Sequence, residues 1–442
     1  MSTASNRLFR LYHRITGSIA FFPTLISLGL AALCMVLIYL EMTWLQPYKE
    51  DLELGLVKNA DNARLILGTL VAGTISLTVF SFTMVMVVLN SAASSLSPRV
   101  LPGLISSHNH QVVLGVYLGT IIASLMLIST IQEGDDINVP SLGIFLALGL
   151  GLLCLCLFVF FIRTISQSIQ VDFILNRLYK ETLHRLKKRQ KKFDGRQPPR
   201  WPDDAGWTVV CARRSGYLKA LNLQPVQELL TQHDLRMTVQ VHYGFFVMPG
   251  HPLFRLDREV DEEIVTALLD CFDFYVEEFV NRHFFFGFKQ IAEIAIKALS
   301  PGINDPGTAI KAIDMLSVLF SERLLLLGFD AEVRDDEQPR LFFHELTLHQ
   351  MLHMTFGPLR AYGRGDAQVL LALLQACKNL LFCNPGQSAE AVLREHAQAI
   401  VAEAEASLPR QLDRIELNEA VQRLNEALKH HPALPCVSRG AF

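Results

Sequence analysis

Four long stretches without a single Asp, Glu, Lys or Arg constrain this chain more than anything else in it. They are Ser18–Leu40, Leu65–Asn90, Val112–Gln132 and Pro140–Ile162. Each is at least about twenty residues, the length at which a helix crosses roughly 30 Å of hydrocarbon. The first does not read as a cleaved signal, because its apolar run is too long and no small-residue cleavage site follows it. Apolar residues crowd into the first 165 positions and the remainder has ordinary soluble composition, which gives the 442-residue chain a mean hydropathy of +0.29. The pattern predicts a membrane domain with four transmembrane helices over 1–165, followed by a water-soluble part.

Lys and Arg in the flanks set the expected orientation. Arg7, Arg10 and Arg14 precede the first span, and "LHRLKKRQKKF" (Leu183–Phe193) follows the fourth. The loop "EGDDINVP" between spans three and four has no basic residue. Both termini are therefore expected in the cytoplasm, with Glu41–Arg64 outside. Eight cysteines occur without any Cys-x-x-Cys spacing, so neither a structural zinc site nor a redox pair is suggested.

The second span carries the most information. Thr69, Ser76, Thr83, Asn90 and Ser97 recur every seventh residue, and a helix drifts by only about 20° per heptad, so the five share one broad face. Such a stripe is unfavourable against lipid and is expected to meet other helices or water. It can serve close helix packing, as small and hydroxylic residues do, or line a hydrated path in an oligomer. Arg99, just beyond it, reads as a positive-inside anchor or as a charge at an inner mouth. Spans three and four carry small residues spaced by four, Gly115, Gly119 and Ala123, then Gly143, Ala147 and Gly151, which suit helix contacts. No carboxylate or lysine lies within a span, which argues against a proton-coupled pump or secondary transporter.

Beyond the spans, the helical pattern of Ile165, Ile169, Phe173 and Leu178 predicts that the fourth span extends as a stalk. A juxtamembrane helix and proline-rich linker occupy 166–205. A small β-rich module with one helix is expected over 206–256, from runs such as "WTVVCAR" and "MTVQVHYGFFVMPGHPLFRL",. From 257 to 442 the pattern is helical, including an acidic amphipathic stretch over Asp257–Val280. Phe284, Phe285, Phe286 and Phe288 read as core. The fold class is thus a four-span α-helical membrane protein with a cytoplasmic α+β domain.

"ALSPGINDPGTA" interrupts that helical region. Ser300 precedes Pro301, which ends a helix, and Gly302 offers a free turn. Asp305 stands where an N-cap belongs, with Pro306 at the first helical position. Thr308 follows, and Asn304 is left without a local explanation. The stretch reads as a structural corner, with an anionic ligand at the helix start as the alternative. "HELTLHQMLHM" places His344, His349 and His353 together; His349 and His353, four apart, have a usable ligand spacing. They remain weak metal candidates because the zinc-protease order is missing, and Glu345 joins only if the helix reaches it. No P-loop, dinucleotide fingerprint, nucleophile elbow or kinase motif is present, so no enzyme activity and no cofactor are expected. The short basic run lacks interleaved aromatics, which makes nucleic acid an unlikely partner.

Taken in order, "SPRVLPGLI", "QVVLGVYLGT", "SGYLKALN" and "ALSPGINDPGTA" resemble the bacterial predicted membrane proteins of domain-of-unknown-function family 2254. The likeness runs from the first helix to about residue 380. It implies the four-span arrangement and a bacterial inner membrane, and it carries no activity. The expected function is a homo-oligomeric, channel-like protein that passes ions or small solutes along the second span, gated or shaped by its cytoplasmic domain. The alternative is a membrane-anchored sensor or scaffold whose cytoplasmic domain binds a protein or an anionic ligand. Lipid and further copies of the chain are the expected partners.

Overall fold

The computed structural model describes residues 21–41, 43, 59–95, 108–131, 140–168, 170–193, 200–275, 283–328, 331–332, 339–383 and 386–438. They fall into two compact units, one holding the apolar helices and one starting at Val171.

The first unit consists of α1 (Phe21–Leu40), α2 (Ala60–Ser95), α3 (His108–Thr130) and α4 (Ser141–Ser168). All four are long and apolar enough to cross a membrane. α2 begins before the uncharged run and continues beyond it, because helix geometry does not stop where charge appears. The small residues of the sequence do bring helices together. A Cβ on Gly115 or Gly119 would collide with Ile26 or Leu30 of α1, one on Gly143 with Leu127, and one on Gly151 with Leu70. Two apolar clusters fill the interior, one around Cys34, Leu67, Leu127 and Ile144 and another around Tyr117, Cys154 and Phe161.

The second unit opens with α5 (Val171–Phe193). The expected stalk is not one unbroken helix, since α4 ends at Ser168 and α5 restarts at Val171. The buried side of α5 is Ile174, Leu175, Leu178, Thr182 and Leu186, while Phe173 is exposed. Strands then follow: β1 (Thr208–Cys211), β2 (Gly216–Leu221), α6 (Leu223–Gln232), β3 (Met237–Val239), β4 (Phe246–Val247), β5 (Pro252–Leu256), α7 (Glu262–Leu269) and β6 (Phe272–Tyr275). After these come α8 (Phe284–Ala298), α9 (Pro306–Leu324), β7 (Ala331–Glu332), β8 (Leu341–Phe343), α10 (Leu348–Tyr362), α11 (Ala367–Phe382), α12 (Gln387–Ser407) and α13 (Gln411–Asn425).

One sheet has the order β1-β5-β3-β8-β7 and the other β4-β2-β6. Strands from beyond Leu256 thus complete both sheets. β8 lies parallel to β3, with Thr238 opposite Phe342, and the remaining ladders are antiparallel. The acidic stretch 257–280 is not one helix. α7 stops at Leu269, and Phe272–Tyr275 pairs with β2 because alternating Phe272 and Phe274 suit a pleated strand better than a helix face,. Phe272 stacks on Phe254 at 5.4 Å; residues 276–282 lie outside the described residues.

The helical part packs α8 and α9 against α5, with α10, α11 and α12 behind them. Phe284, Phe285, Phe286 and Phe288 are all buried, as expected of core. Phe288, Phe320 and Phe356 form a chain of edge-on rings through that core. Gly287 is needed where α8 meets α5, since any Cβ there would strike the Thr182 side chain.

Candidate functional site

The stripe of the second span lies on the side of α2 that the other three helices leave uncovered. Thr69, Ser76, Thr83 and Asn90 are exposed in the single chain; Ser97 and Arg99 lie outside the described residues. Only 11% of the most apolar stretch of α2 is buried within the unit, against 44% for α3, which makes α2 the span with most surface left to cover. Each hydroxyl is already satisfied by its own helix. Thr69 Oγ1 donates to the Leu65 carbonyl at 2.7 Å, Ser76 Oγ to Ala72 at 3.0 Å and Thr83 Oγ1 to Val79 at 2.9 Å. Back-bonding of this kind removes the donor that would otherwise demand a partner in lipid.

The inner side of the bundle also carries polarity, which heptad counting along one span did not single out. Thr74, Ser81, Tyr117, Thr120 and Ser124 are buried. Thr120 Oγ1 donates to Val116 at 2.8 Å and lies 3.4 Å from the Cys154 thiol. Charges close the ends of two helices. The Glu41 carboxylate, 1% exposed, accepts from the amides of Leu142 and Gly143 at 3.2 Å each, at the start of α4. There it meets the positive end of the helix dipole. Arg64 donates to the Ile131 carbonyl at 3.2 Å, just past the end of α3. The sequence shows these charges only as the borders of a loop; their contacts join residues 101 positions apart for Glu41 and 67 apart for Arg64.

The corner between α8 and α9 follows the turn chemistry of its sequence. Asp305 caps α9 with Pro306 first in the helix, its carboxylate accepting from Thr308 N at 3.1 Å and Thr308 Oγ1 at 2.5 Å. These bonds hold the Asp305 carboxyl below its usual range. Ser300 Oγ donates to the Lys297 carbonyl at 2.6 Å, and the Asp305 amide reaches back to Ala298 at 2.8 Å. The left-handed residue is Asn304, with φ of +51°, and not Gly302. Asn tolerates that region far better than other side chains do, which supplies the missing local reason for it. Pro301 and Gly302 are exposed beside it. Lys311, one turn into α9, pairs with Asp172 of α5 at 2.9 Å.

A buried ionic cluster has no counterpart in the sequence reading. Glu345, whose side chain is 7% exposed, lies 3.1 Å from Arg189 Nη2 and 3.3 Å from His283 Nε2. Buried Arg323 donates to the Leu346 carbonyl at 3.4 Å. Burial alone would raise the Glu345 carboxyl, but His283, Arg189 and Arg323 outweigh it and hold the group well below the carboxylate range. His283 Nδ1 accepts from Phe285 N at 3.3 Å as the cap of α8. Its proton therefore sits on Nε2, which donates to Glu345. Arg189 comes from the basic run that was expected only to fix topology, and Glu345 stands outside α10, too early to join His349 and His353 on one helix. His344 is elsewhere as well, with its ring 4.7 Å from that of Trp201.

Residues 16–379 match the model of the predicted membrane protein family DUF2254. Uncharacterized protein Rv1290c of Mycobacterium tuberculosis and Uncharacterized protein Mb1321c of Mycobacterium bovis are each 25% identical over 363 residues, covering 79% of this chain and 69% of theirs. No solved structure matches it. The four apolar helices and the glycine contacts between them lie within the matched span, and the chain belongs to the predicted membrane protein family DUF2254.

Proposed function

We propose that this protein assembles with further copies of itself in the bacterial inner membrane, with both termini and the second unit in the cytoplasm, and that its second spans enclose a path for ions or small solutes. One observation carries the reading: the polar face of α2 is the face that the chain's own bundle leaves uncovered. The hydroxyls of the stripe are matched by their own helix, but the Asn90 amide that ends it is poorly placed against lipid, and a ring of such faces gives it water or another copy instead,. Basic residues around the first and fourth spans support the orientation, and the second unit would gate or shape the path. No catalytic step is assigned to it.

A second reading has its own support. The back-bonded hydroxyls and the open glycines Gly68 and Gly73 also suit a dry contact between copies,. The protein is then a membrane-anchored scaffold or sensor through which nothing passes. Conductance of the purified protein in planar bilayers, run beside Asn90→Leu and Thr83→Leu, separates the two. Discrete currents that these substitutions abolish or reshape, at unchanged oligomer size, support the path. Silence in all three proteins across voltage, tension and common ions, with the oligomer intact, moves the assignment to the scaffold.

A further inference from the structure

Three histidines and a glutamate meet where α10 packs on α12. His349 and His353 stand one turn apart at the start of α10, their rings parallel with centroids 6.2 Å apart. His396 of α12 brings its ring to 5.1 Å from that of His349. Its neighbour Glu395 places Oε2 3.6 Å from His349 Nδ1. His349, His353 and Glu395 are exposed, so packing does not require them. His396 differs: it is 7% exposed, and its Nε2 is buried with no hydrogen-bond partner. Leaving such a nitrogen unmatched costs about 1–3 kcal/mol, so a histidine at this position calls for something to bind it.

We propose that His349, His353 and His396, with Glu395 as the fourth donor, bind one first-row divalent cation of the Zn²⁺ class and so clamp α10 to α12. Imidazole donors select Zn²⁺, Ni²⁺ or Cu²⁺ over Ca²⁺ and Mg²⁺, which require mostly oxygen. Three histidines and one carboxylate make a complete tetrahedral set. With metal–nitrogen bonds of ~2.0–2.1 Å, two imidazoles on a tetrahedral ion hold their ring centroids about 5 Å apart. The His349–His396 pair already has that separation.

Among the described residues no three such donors yet converge on one point. Closing the site takes rotation of the three exposed side chains about their own bonds, toward His396 as the fixed member. This inference is independent of whether the membrane unit conducts.

The test uses the full chain in detergent, purified without a polyhistidine tag and stripped with chelator. Zn²⁺ binding is measured by competition with a chromophoric chelator, and Cu²⁺ by electron paramagnetic resonance. The expected result is one ion per chain, with nitrogen splitting from three imidazoles that falls to two in His353→Ala and in His396→Asn. Each variant should weaken Zn²⁺ binding by at least about tenfold, and His344→Ala, outside the cluster, should leave it unchanged. Circular dichroism checks the fold. If His396→Asn disturbs it, His353→Ala at the exposed position carries the test alone. Unchanged binding in the His349→Ala/His353→Ala double variant, or no stoichiometric binding in the parent protein, overturns the proposal.

Discussion

The hydroxyl stripe of α2 in the first unit is settled within its own helix, whereas the Glu345 cluster of the second is settled between elements distant in sequence. Thr69, Ser76 and Thr83 each bond a carbonyl four residues back. Glu345 is held instead by Arg189 of α5 and by His283 at the cap of α8. The contrast follows from what surrounds each group. In hydrocarbon an unmatched donor is costly, so a side chain that satisfies itself can sit on any face. A buried charge cannot satisfy itself, so it fixes which elements meet. Glu41 lies between the two cases, a charge in the membrane unit that uses the far backbone of α4 as its partner.

If this contrast is right, Glu345→Gln has the largest effect. Arg189 and Arg323 would lose their counter-charge, and breaking a buried pair in this way costs about 3–5 kcal/mol. Denaturation followed by the fluorescence of Trp201 and Trp207, both in the second unit, reads the loss; a change below about 1 kcal/mol would remove the cluster from the account. Its pH dependence has a definite sign. The Glu345 carboxyl is depressed in the folded chain, so its contribution is complete above the unfolded value of about 4.3 and declines as pH falls toward the folded value,. The parent protein should lose stability on acidification below about pH 4, and the variant should lose less over that range.

Glu41→Gln tests the intermediate case. It keeps hydrogen-bond acceptance and removes the charge at the start of α4, for an expected cost of about 1–2 kcal/mol. Thermal unfolding in detergent at low and high salt checks it, and an undiminished stability would mean that the dipole contributes nothing there. Thr83→Val should be smallest, within about 0.5 kcal/mol for the single chain, because the hydroxyl it deletes bonds only its own helix. A larger loss in the monomer would show that this face is covered in a way the single chain does not reveal.

What could be read ahead of the structure depended on how local the cause was. Span lengths, glycine contacts and the Asp305–Pro306 helix start were legible because each depends on neighbours within a few positions. Asn304 was visible as an oddity and lacked only its backbone angle. Strand β8 was hidden because its partner β3 lies about a hundred residues earlier. β6 was hidden inside an acidic pattern that also fits a helix. The Glu345 cluster draws on four separated segments, and His396 joins His349 only after α12 folds back on α10. Periodicity along one element carries no sign of such meetings.

Back-bonding along α2 has one more consequence. Each hydroxyl has given its hydrogen to the helix, so the oxygens of Thr69, Ser76 and Thr83 turn only lone pairs outward. Chemically these three positions behave more like a row of ethers than a row of alcohols: they accept and do not donate, and donation is left to the Asn90 amide at the end of the stripe,. If copies of α2 do surround a path, whatever moves along that stretch must bring its own hydrogens or a positive charge. The backbone, and not the choice of serine or threonine, has then set the electrical sense of the surface.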